Sequence, residues 1–372
     1  MARIAIVGAG PAGASAGYHL ATRGHAVTLI DRAEFPRPKT CGDWIPPAAL
    51  RELAHMGLDA DTLDRLAEER TTIDQTVIVA PDGKQSANAS RERGRCIPRR
   101  VFDALLWRHA VSAGCVPVRR AVRELRRGDG SDLAAYDHVV DARGAHAGDA
   151  NAVALRGYWT VSRERLPEDA ARAVQIHTDE TYRRGYGWIF PVHADAKVVR
   201  FNVGVGLWKD DSVRGANVAD YFERFVNVHA AARALRETAM SVERPIGYHV
   251  ALARWYSPVA GDGVLRIGDA ANLADPLTGD GIANALASGR LAAEAIHATA
   301  TPADAESAWQ HRCDTELAAD LRVALALRRA LTATRAKNLA ARLLGRAPDL
   351  RARLHGALFG EIRYRDLLAR ES

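Results

Sequence analysis

The chain has 372 residues, 48% hydrophobic and 26% charged, with a formal net charge of +6. That length and composition fit a globular chain with a large core and exclude collagen-like or low-complexity polymers. No run approaches the ~20 apolar residues of a membrane-spanning helix, and Arg is spread over nearly every helical pattern instead of clustering with aromatics, which argues against nucleic acid and for a solvated Ala/Arg-rich surface able to attract an anionic cofactor, substrate or carrier.

Residues 2–7 alternate into a short buried strand, 11–23 carry a helix pattern that ends at Gly24, and 26–30 form a second buried strand that closes at Asp31. This is a βαβ unit. M-A-R-I-A-I-V runs straight into a glycine turn and does not read as a secretory leader. Within the turn, Gly8, Gly10 and Gly13 have G-x-G-x-x-G spacing, followed by Pro11 and Ala12 at the start of the helix. The first glycine permits the tight turn, the second lets the backbone approach a pyrophosphate, and the third lets the helix pack closely on the strand. The helix N-terminus adds free N–H groups and partial positive charge. Asp31, 18 residues past Gly13, is placed to accept hydrogen bonds from a ribose.

A Pro-rich ordered loop over 34–47 contains Cys41, Gly42, Asp43 and Trp44. Helices are predicted over 48–56, 59–69 and 99–113, and strands over 73–80, 115–125 and 136–141. Lys84 lies in the turn P-D-G-K and reads as a solvated turn lysine. From about 153 to 255 the pattern becomes short β-like runs (172–177, 186–192, 197–207 and 241–251), with one helix near 217–236. They predict an antiparallel sheet with one polar and one apolar face. Residues 263–267 are another buried strand, and nearly everything beyond 279 is helical, including 303–330 and 335–368. The C-terminal pattern is punctuated by Arg335, Lys337, Arg342 and Arg346, a face that suits ordinary solvent exposure or weak peripheral contact with a membrane. The four Cys (41, 96, 115 and 313) show no metal-ligand spacing, so no metal is expected, and their pattern fits a reducing cytoplasm.

Residues 268–282 read G-D-A-A-N-L-A-D-P-L-T-G-D-G-I. Gly268 and Asp269 follow a buried strand, where the carboxylate can bond ribitol hydroxyls. Pro276, Gly279, Asp280, Gly281 and Ile282 form a turn that starts a helix, whose dipole favours the negative charge of a reduced flavin ring. Taken alone, this is an ordinary glycine loop with an Asp cap. Paired with the N-terminal fingerprint, it points to FAD.

Five segments together resemble the FAD-dependent oxidoreductases of aromatic-hydroxylase fold, and among them the geranylgeranyl reductase family, related to flavin halogenases and lycopene cyclases. They are G-A-G-P-A-G, K-T-C-G-D-W-I-P-P (39–47), R-R-V-F-D-A-L-L (99–106), G-Y-G-W-I-F-P (185–191) and the G-D-A-A-N…G-D-G-I run. The resemblance implies an α/β architecture. A discontinuous Rossmann-like FAD domain (1–150 and 256–300) would be joined by a β-sheet substrate domain (151–255) and a C-terminal helical region (301–372). It implies that Asp31 and Arg32 hold the adenosine ribose, that Val122 offers adenine a backbone contact, and that Arg99 approaches the flavin side. The Cys41–Asp43 loop would cover the flavin ring, and Tyr186, Trp188 and Phe190 would face the substrate with Trp44 nearby. In the run Asp141-Ala142-Arg143-Gly144, Arg stands where related hydroxylases carry Asp. Reduction by NAD(P)H, by a separate reductase or by another donor therefore stays open.

Flavin performs the difficult step, so the candidate catalytic side chains are few: Cys41 as a proton donor or flavin-tuning group, and Tyr186 and Trp188 as proton donor or orienting groups. For Cys41 the alternative is a small buried filler, and for the aromatics a core strand face. His193 and His249 are further pocket candidates. The expected activity is that of a reductase or dehydrogenase on a hydrophobic small molecule, an isoprenoid or a secondary-metabolite intermediate. A flavin monooxygenase and a non-redox flavin-dependent cyclase or isomerase are the alternatives.

Overall fold

A computed structural model describes residues 1–123, 125, 133–181, 184–209, 217–255, 257–331, 336–339 and 347–367. The chain opens with β1 (Arg3–Val7), α1 (Pro11–Ala21) and β2 (Ala26–Asp31). β3 (Trp44–Ile45), α2 (Pro47–Ala54), α3 (Ala60–Leu66), β4 (Thr71–Val79), β5 (Gln85–Cys96), α4 (Arg99–Ser112), β6 (Val116–Arg119) and β7 (His138–Asp141) follow. Next come β8 (Ala152–Ser162), β9 (Ala173–Thr178), β10 (Gly185–Ala194), β11 (Val198–Trp208), α5 (Val218–Val228), α6 (Ala230–Thr238), β12 (Ala239–Val242), β13 (Ile246–Val250), β14 (Ala260–Gly261) and β15 (Val264–Arg266). The later helices are α7 (Ile282–Ala298), α8 (Pro302–Arg312), α9 (Ala319–Ala330) and α10 (Pro348–Leu358), with a π-helical turn, Cys313–Ala318, between α8 and α9.

The first sheet has the order β14-β15-β7-β1-β2-β6. Its strands from β15 to β6 are all parallel. I-A-I-V and A-V-T-L-I are nearly continuous apolar runs because a parallel sheet is covered on both faces. β15 enters beside β7 from more than 120 residues away, so both ends of the chain build one layer. α1 and α7 cross at almost backbone contact. A Cβ on Gly289 would lie 2.4 Å from the Ala12 carbonyl oxygen, so only glycine permits this approach.

The second sheet has nine strands, ordered β12-β8-β11-β10-β9-β4-β5-β3 with β13 also pairing β8. It is mixed: β4 runs parallel to β9, while the other pairs are antiparallel, including every pair formed within 153–255, as the sequence pattern predicted for that block. β4 and β5 hydrogen-bond into this sheet although they fall inside the 1–150 range expected of the cofactor domain. No strand was expected over 85–96. Q-S-A-N-A-S-R-E-R-G-R-C is polar because its first nine residues are exposed or half-buried along the outer part of the sheet, and only the last three are buried. β8 and the two-residue strands β3 and β14 were likewise not anticipated. The run 241–251 divides into β12 and β13, and the helix near 217–236 breaks at His229 into α5 and α6. α5 and α6 cover one sheet face through Tyr221, Phe222, Phe225, Val226 and Leu235, which pack on Trp159, Val203 and Val205. Arg335, Arg342 and Arg346 lie outside the described residues; none of the described helices is long and apolar enough to cross a membrane.

Candidate active site

Between the two sheets lies a cavity of about 930 Å³. At one end it is lined by Gly8, Gly10, Pro11 and Ala12, and at the other by Tyr186, Trp188, Phe190 and Trp208. The three fingerprint glycines divide by role. A Cβ on Gly8 would sit 2.1 Å from the Ala142 oxygen, and one on Gly13 would sit 1.8 Å from the Gly8 oxygen, so both are required by the fold itself. A Cβ on Gly10 would meet only the tip of Arg37, at 3.5 Å. Gly10 therefore opens toward the cavity, and α1 begins there with Pro at its first position and no side-chain cap. Its early N–H groups are available to an anion. Arg37, Lys39, Arg99 and Arg143 also line the cavity and make it electropositive.

The Asp31 carboxylate lines the cavity and accepts hydrogen bonds from the backbone N–H groups of Ala9 at 2.8 Å and Ala33 at 2.9 Å. Arg32 lies at 3.0 Å from the His146 ring. Arg143 folds away from the aromatic end: its guanidinium pairs with Asp141 at 2.9 Å and donates to the Arg123 carbonyl at 2.7 Å, beside Val122. Arg143 thus ties the end of β7 to the chain at Val122 and Arg123. Lys39 places its ammonium 3.6 Å from the centre of the Tyr248 ring. Burial and the nearby Arg99 draw it down to about 8.

The Cys41–Asp43 loop is held from below. Asp43 adopts φ 65° and is fully buried. Its carboxylate accepts from the Tyr158 hydroxyl at 2.6 Å, the Asn202 amide at 2.8 Å and the Arg99 backbone N–H at 3.1 Å, at the start of α4. Burial pushes this carboxyl above the usual range against those bonds. Asn202 also donates to the Cys41 carbonyl at 2.6 Å and accepts from the Trp188 indole at 2.9 Å. The loop, the aromatic strand β10 and β11 are thereby one rigid unit. Cys41 and Gly42 line the cavity, and the Cys41 thiol lies within hydrogen-bonding reach of the Arg99 guanidinium, which also pairs with Asp103 at 2.6 Å.

On the opposite wall, Asp269, Gly279, Gly281 and Ile282 line the cavity. Asp280 turns away from it and accepts from the Ile282 N–H at 3.1 Å; burial pushes its carboxyl up to about 7. Tyr186 donates its hydroxyl to the Thr278 carbonyl. Its ring is a chamber wall, but its proton is committed to the backbone. Trp208 donates to the Pro276 carbonyl at 3.0 Å, so the same aromatic layer fixes the 275–281 turn twice.

Several predicted site residues do not reach the cavity. Asp43 lies beneath the loop, and Gly13 and Gly268 serve helix packing, since a Cβ on Gly268 would meet the Ala12 methyl at 2.9 Å. Pro276 and Asp280 shape the turn from behind. Trp44 points into the core, edge-on to Phe359 and over Gly94, whose absent Cβ would otherwise lie 2.0 Å from the indole. His193 sits near Asp195 at 3.5 Å, outside the cavity, whereas His249 lines it. Lys84 pairs with Asp82 at 3.1 Å in its exposed turn. Sequence reasoning missed Asn202, Tyr158, Arg156, Trp208 and Tyr248. Their only signal is alternation along strands, which becomes meaningful once register places them beside Trp188.

Residues 1–177 match the FAD binding domain family. A menaquinone reductase of Mycobacterium tuberculosis is 32% identical over 324 residues, covering 79% of this chain and 76% of that protein. The chain belongs to the geranylgeranyl reductase family of FAD-dependent oxidoreductases. A second relative in this family, a digeranylgeranylglycerophospholipid reductase of Methanosphaerula palustris, is 29% identical over 318 residues, 78% of this chain and 75% of its own length. Among solved structures, a geranylgeranyl bacteriochlorophyll reductase-like protein of Thermoplasma acidophilum superposes with a TM-score of 0.73 at 19% identity, covering 94% of this chain and 91% of that one. The flavin-dependent brominase Bmp2 superposes with a TM-score of 0.74 at 20% identity, covering 96% and 93%. At those identities the two structures share the fold. The protein is a flavoenzyme whose cofactor is FAD, and the open approach at Gly10, the uncapped N-terminus of α1 and the basic lining fit that dinucleotide.

Proposed function

We propose that this enzyme reduces a carbon–carbon double bond of an apolar, unsaturated small molecule, drawing its electrons from an external donor. The observation that carries this reading is the chamber of Tyr186, Trp188, Phe190 and Trp208, which is continuous with the dinucleotide end and meets it at Cys41. FAD, once reduced, supplies the hydride. Gly8 to Ala12, Asp31 and Asp269 would hold its phosphates and sugars, and Cys41, Gly42, Gly279 and Gly281 would flank its ring. The aromatic wall orients the apolar substrate and excludes water, which strengthens electrostatic effects inside the chamber. Cys41 delivers the balancing proton from its thiol to the carbon opposite the hydride, with Arg99 positioned to stabilise the resulting thiolate until it is reprotonated. The names of the relatives, reductases of a phospholipid and of menaquinone, support an apolar substrate.

The test is an anaerobic one. The holoprotein is reduced with NADH, NADPH or dithionite and then mixed with geranylgeraniol or a menaquinone. The expected outcome is flavin reoxidation without oxygen and a product carrying two extra hydrogens. Reoxidation only on admitting air, with one oxygen atom gained by the product, would replace this reading with a monooxygenase. A product of unchanged mass would point to the cyclase or isomerase class.

A further inference from the structure

Arg156 lines the aromatic end of the cavity and takes no part in holding the cofactor or in the proton transfer. It lies on β8 and is 7% exposed. In register it stands opposite Gly204 of β11 and Ile246 of β13. A Cβ on Gly204 would meet the Trp188 indole at 2.3 Å and the Arg156 Cβ at 2.7 Å, so guanidinium stem and indole share the space that this glycine leaves. The Arg156 guanidinium lies 4.0 Å from the centre of the Tyr158 ring. Its Nε is buried without a hydrogen-bond partner, and among the described residues it forms no ion pair.

Arg200 gives the contrast. It lies 4.2 Å from the same Tyr158 ring, but it is more exposed and pairs with Glu243 at 2.7 Å and Glu69 at 3.5 Å. Asp43 feels the charge of Arg156, but only through space. Both Asp43 oxygens are already engaged, one by the Arg99 N–H and the other by Tyr158 and Asn202. Burying an unpaired guanidinium costs several kcal/mol. A guanidinium fork binds carboxylate or phosphate through two parallel hydrogen bonds.

We infer that Arg156 is the receptor for an anionic group on the substrate, which is therefore an amphiphilic acid: an unsaturated apolar body against Trp188 and Trp208, with a carboxylate or phosphate at the Arg156 end. This rests on the reading of the chamber as the substrate site and adds the polarity of its occupant. Arg156 acts as a binding and orienting residue and takes no part in proton or electron transfer.

The test measures binding to the FAD-loaded protein by quenching of tryptophan fluorescence and by flavin absorbance. The probes are a series of ω-phenylalkanoic acids of increasing chain length, their amides and the matching ω-phenylalkyl phosphates. Wild type is expected to bind an acid or a phosphate at least about tenfold more tightly than the amide; the tighter of the two anions identifies the natural head group. Arg156→Met keeps the apolar bulk and removes an unpaired buried charge, so it is expected to retain FAD, to melt at or above the wild-type temperature, and to bind acid and amide alike. Equal binding of acid and amide by wild type, no binding of any acid, or a preserved preference in Arg156→Met each overturns the inference. So does a melting temperature of Arg156→Met lower by more than about 5 °C, which would mean that the charge serves the fold. If wild type takes up no FAD, the proposed function falls, and the fluorescence arm still decides the role of Arg156.

Discussion

Cys41 occupies the junction between the dinucleotide end of the cavity and its aromatic end, with its thiol near Arg99 and its carbonyl tied to Asn202. Its backbone is fixed by bonds that do not involve sulfur, so removing the thiol leaves the loop in place. Cys41→Ala is therefore expected to purify with a full complement of FAD and to turn over about tenfold or more slowly, as loss of a positioned proton donor does. Single-turnover oxidation of the reduced flavin by substrate measures this directly, and an unchanged rate removes Cys41 from the mechanism. Tyr186 is a different case: its hydroxyl bonds the Thr278 carbonyl, so its contribution is the shape of the 275–281 turn and an aromatic wall.

At the scale of elements, the fingerprint turn separates cofactor binding from folding. Gly13 packs α1 against β1 so closely that a methyl group would overlap the Gly8 carbonyl, whereas a methyl on Gly10 meets no backbone atom within 4 Å. Gly10→Ala is expected to fold with nearly wild-type stability yet bind FAD at least about tenfold more weakly, because the methyl would stand where the proposed site receives the pyrophosphate. Gly13→Ala is expected to lose several kcal/mol of stability and express poorly, since neither backbone can yield. Thermal melts of the two apoproteins alongside FAD titrations check the pair. Equal damage to folding by both substitutions would contradict this division of roles.

At the scale of the molecule, α10 is latched to the second sheet through His355. Its ring nitrogens lie 2.7 Å from the Thr76 hydroxyl and 2.9 Å from that of Ser86. Burial, aided by Arg351, lowers its pKa to about 4, so the ring is neutral in the fold. Between about 6.5 and 4 the unfolded chain takes up a proton that the folded chain refuses, so the stability contributed by His355 is present at neutral pH and declines as pH falls through that window. The buried Asp43, Asp275 and Asp280 carboxyls, whose pKa values are raised by burial, act in the opposite direction, Asp280 from about 7 downward. The informative quantity is therefore the difference between wild type and His355→Gln. Urea unfolding is expected to show a gap at pH 7 that narrows by pH 4.5. A gap independent of pH would mean that the ring titrates alike in the folded and unfolded chains, and a gap that widens toward pH 4.5 would mean that it is charged in the fold.

The local order of the chain determined the cofactor. A glycine turn between two apolar runs, an acid at the next strand end and a distant G-D…G-D-G-I turn are short-range patterns whose physics is contained in about thirty residues each. The first helices and strands were legible for the same reason, because apolar periodicity reports burial on one face. Tertiary structure alone decided which side chains face the cavity. Asp43 and Trp44 sit next to Cys41 in sequence, yet one turns beneath the loop and the other into the core, because Asn202, Tyr158 and Phe359 arrive from elements more than 100 residues away. β5 and β8 escaped notice because a strand exposed along one side, or interrupted by a buried arginine, loses its apolar alternation. The charge of Arg156 gained meaning only when strand pairing placed it beside Trp188 without an acid to neutralise it.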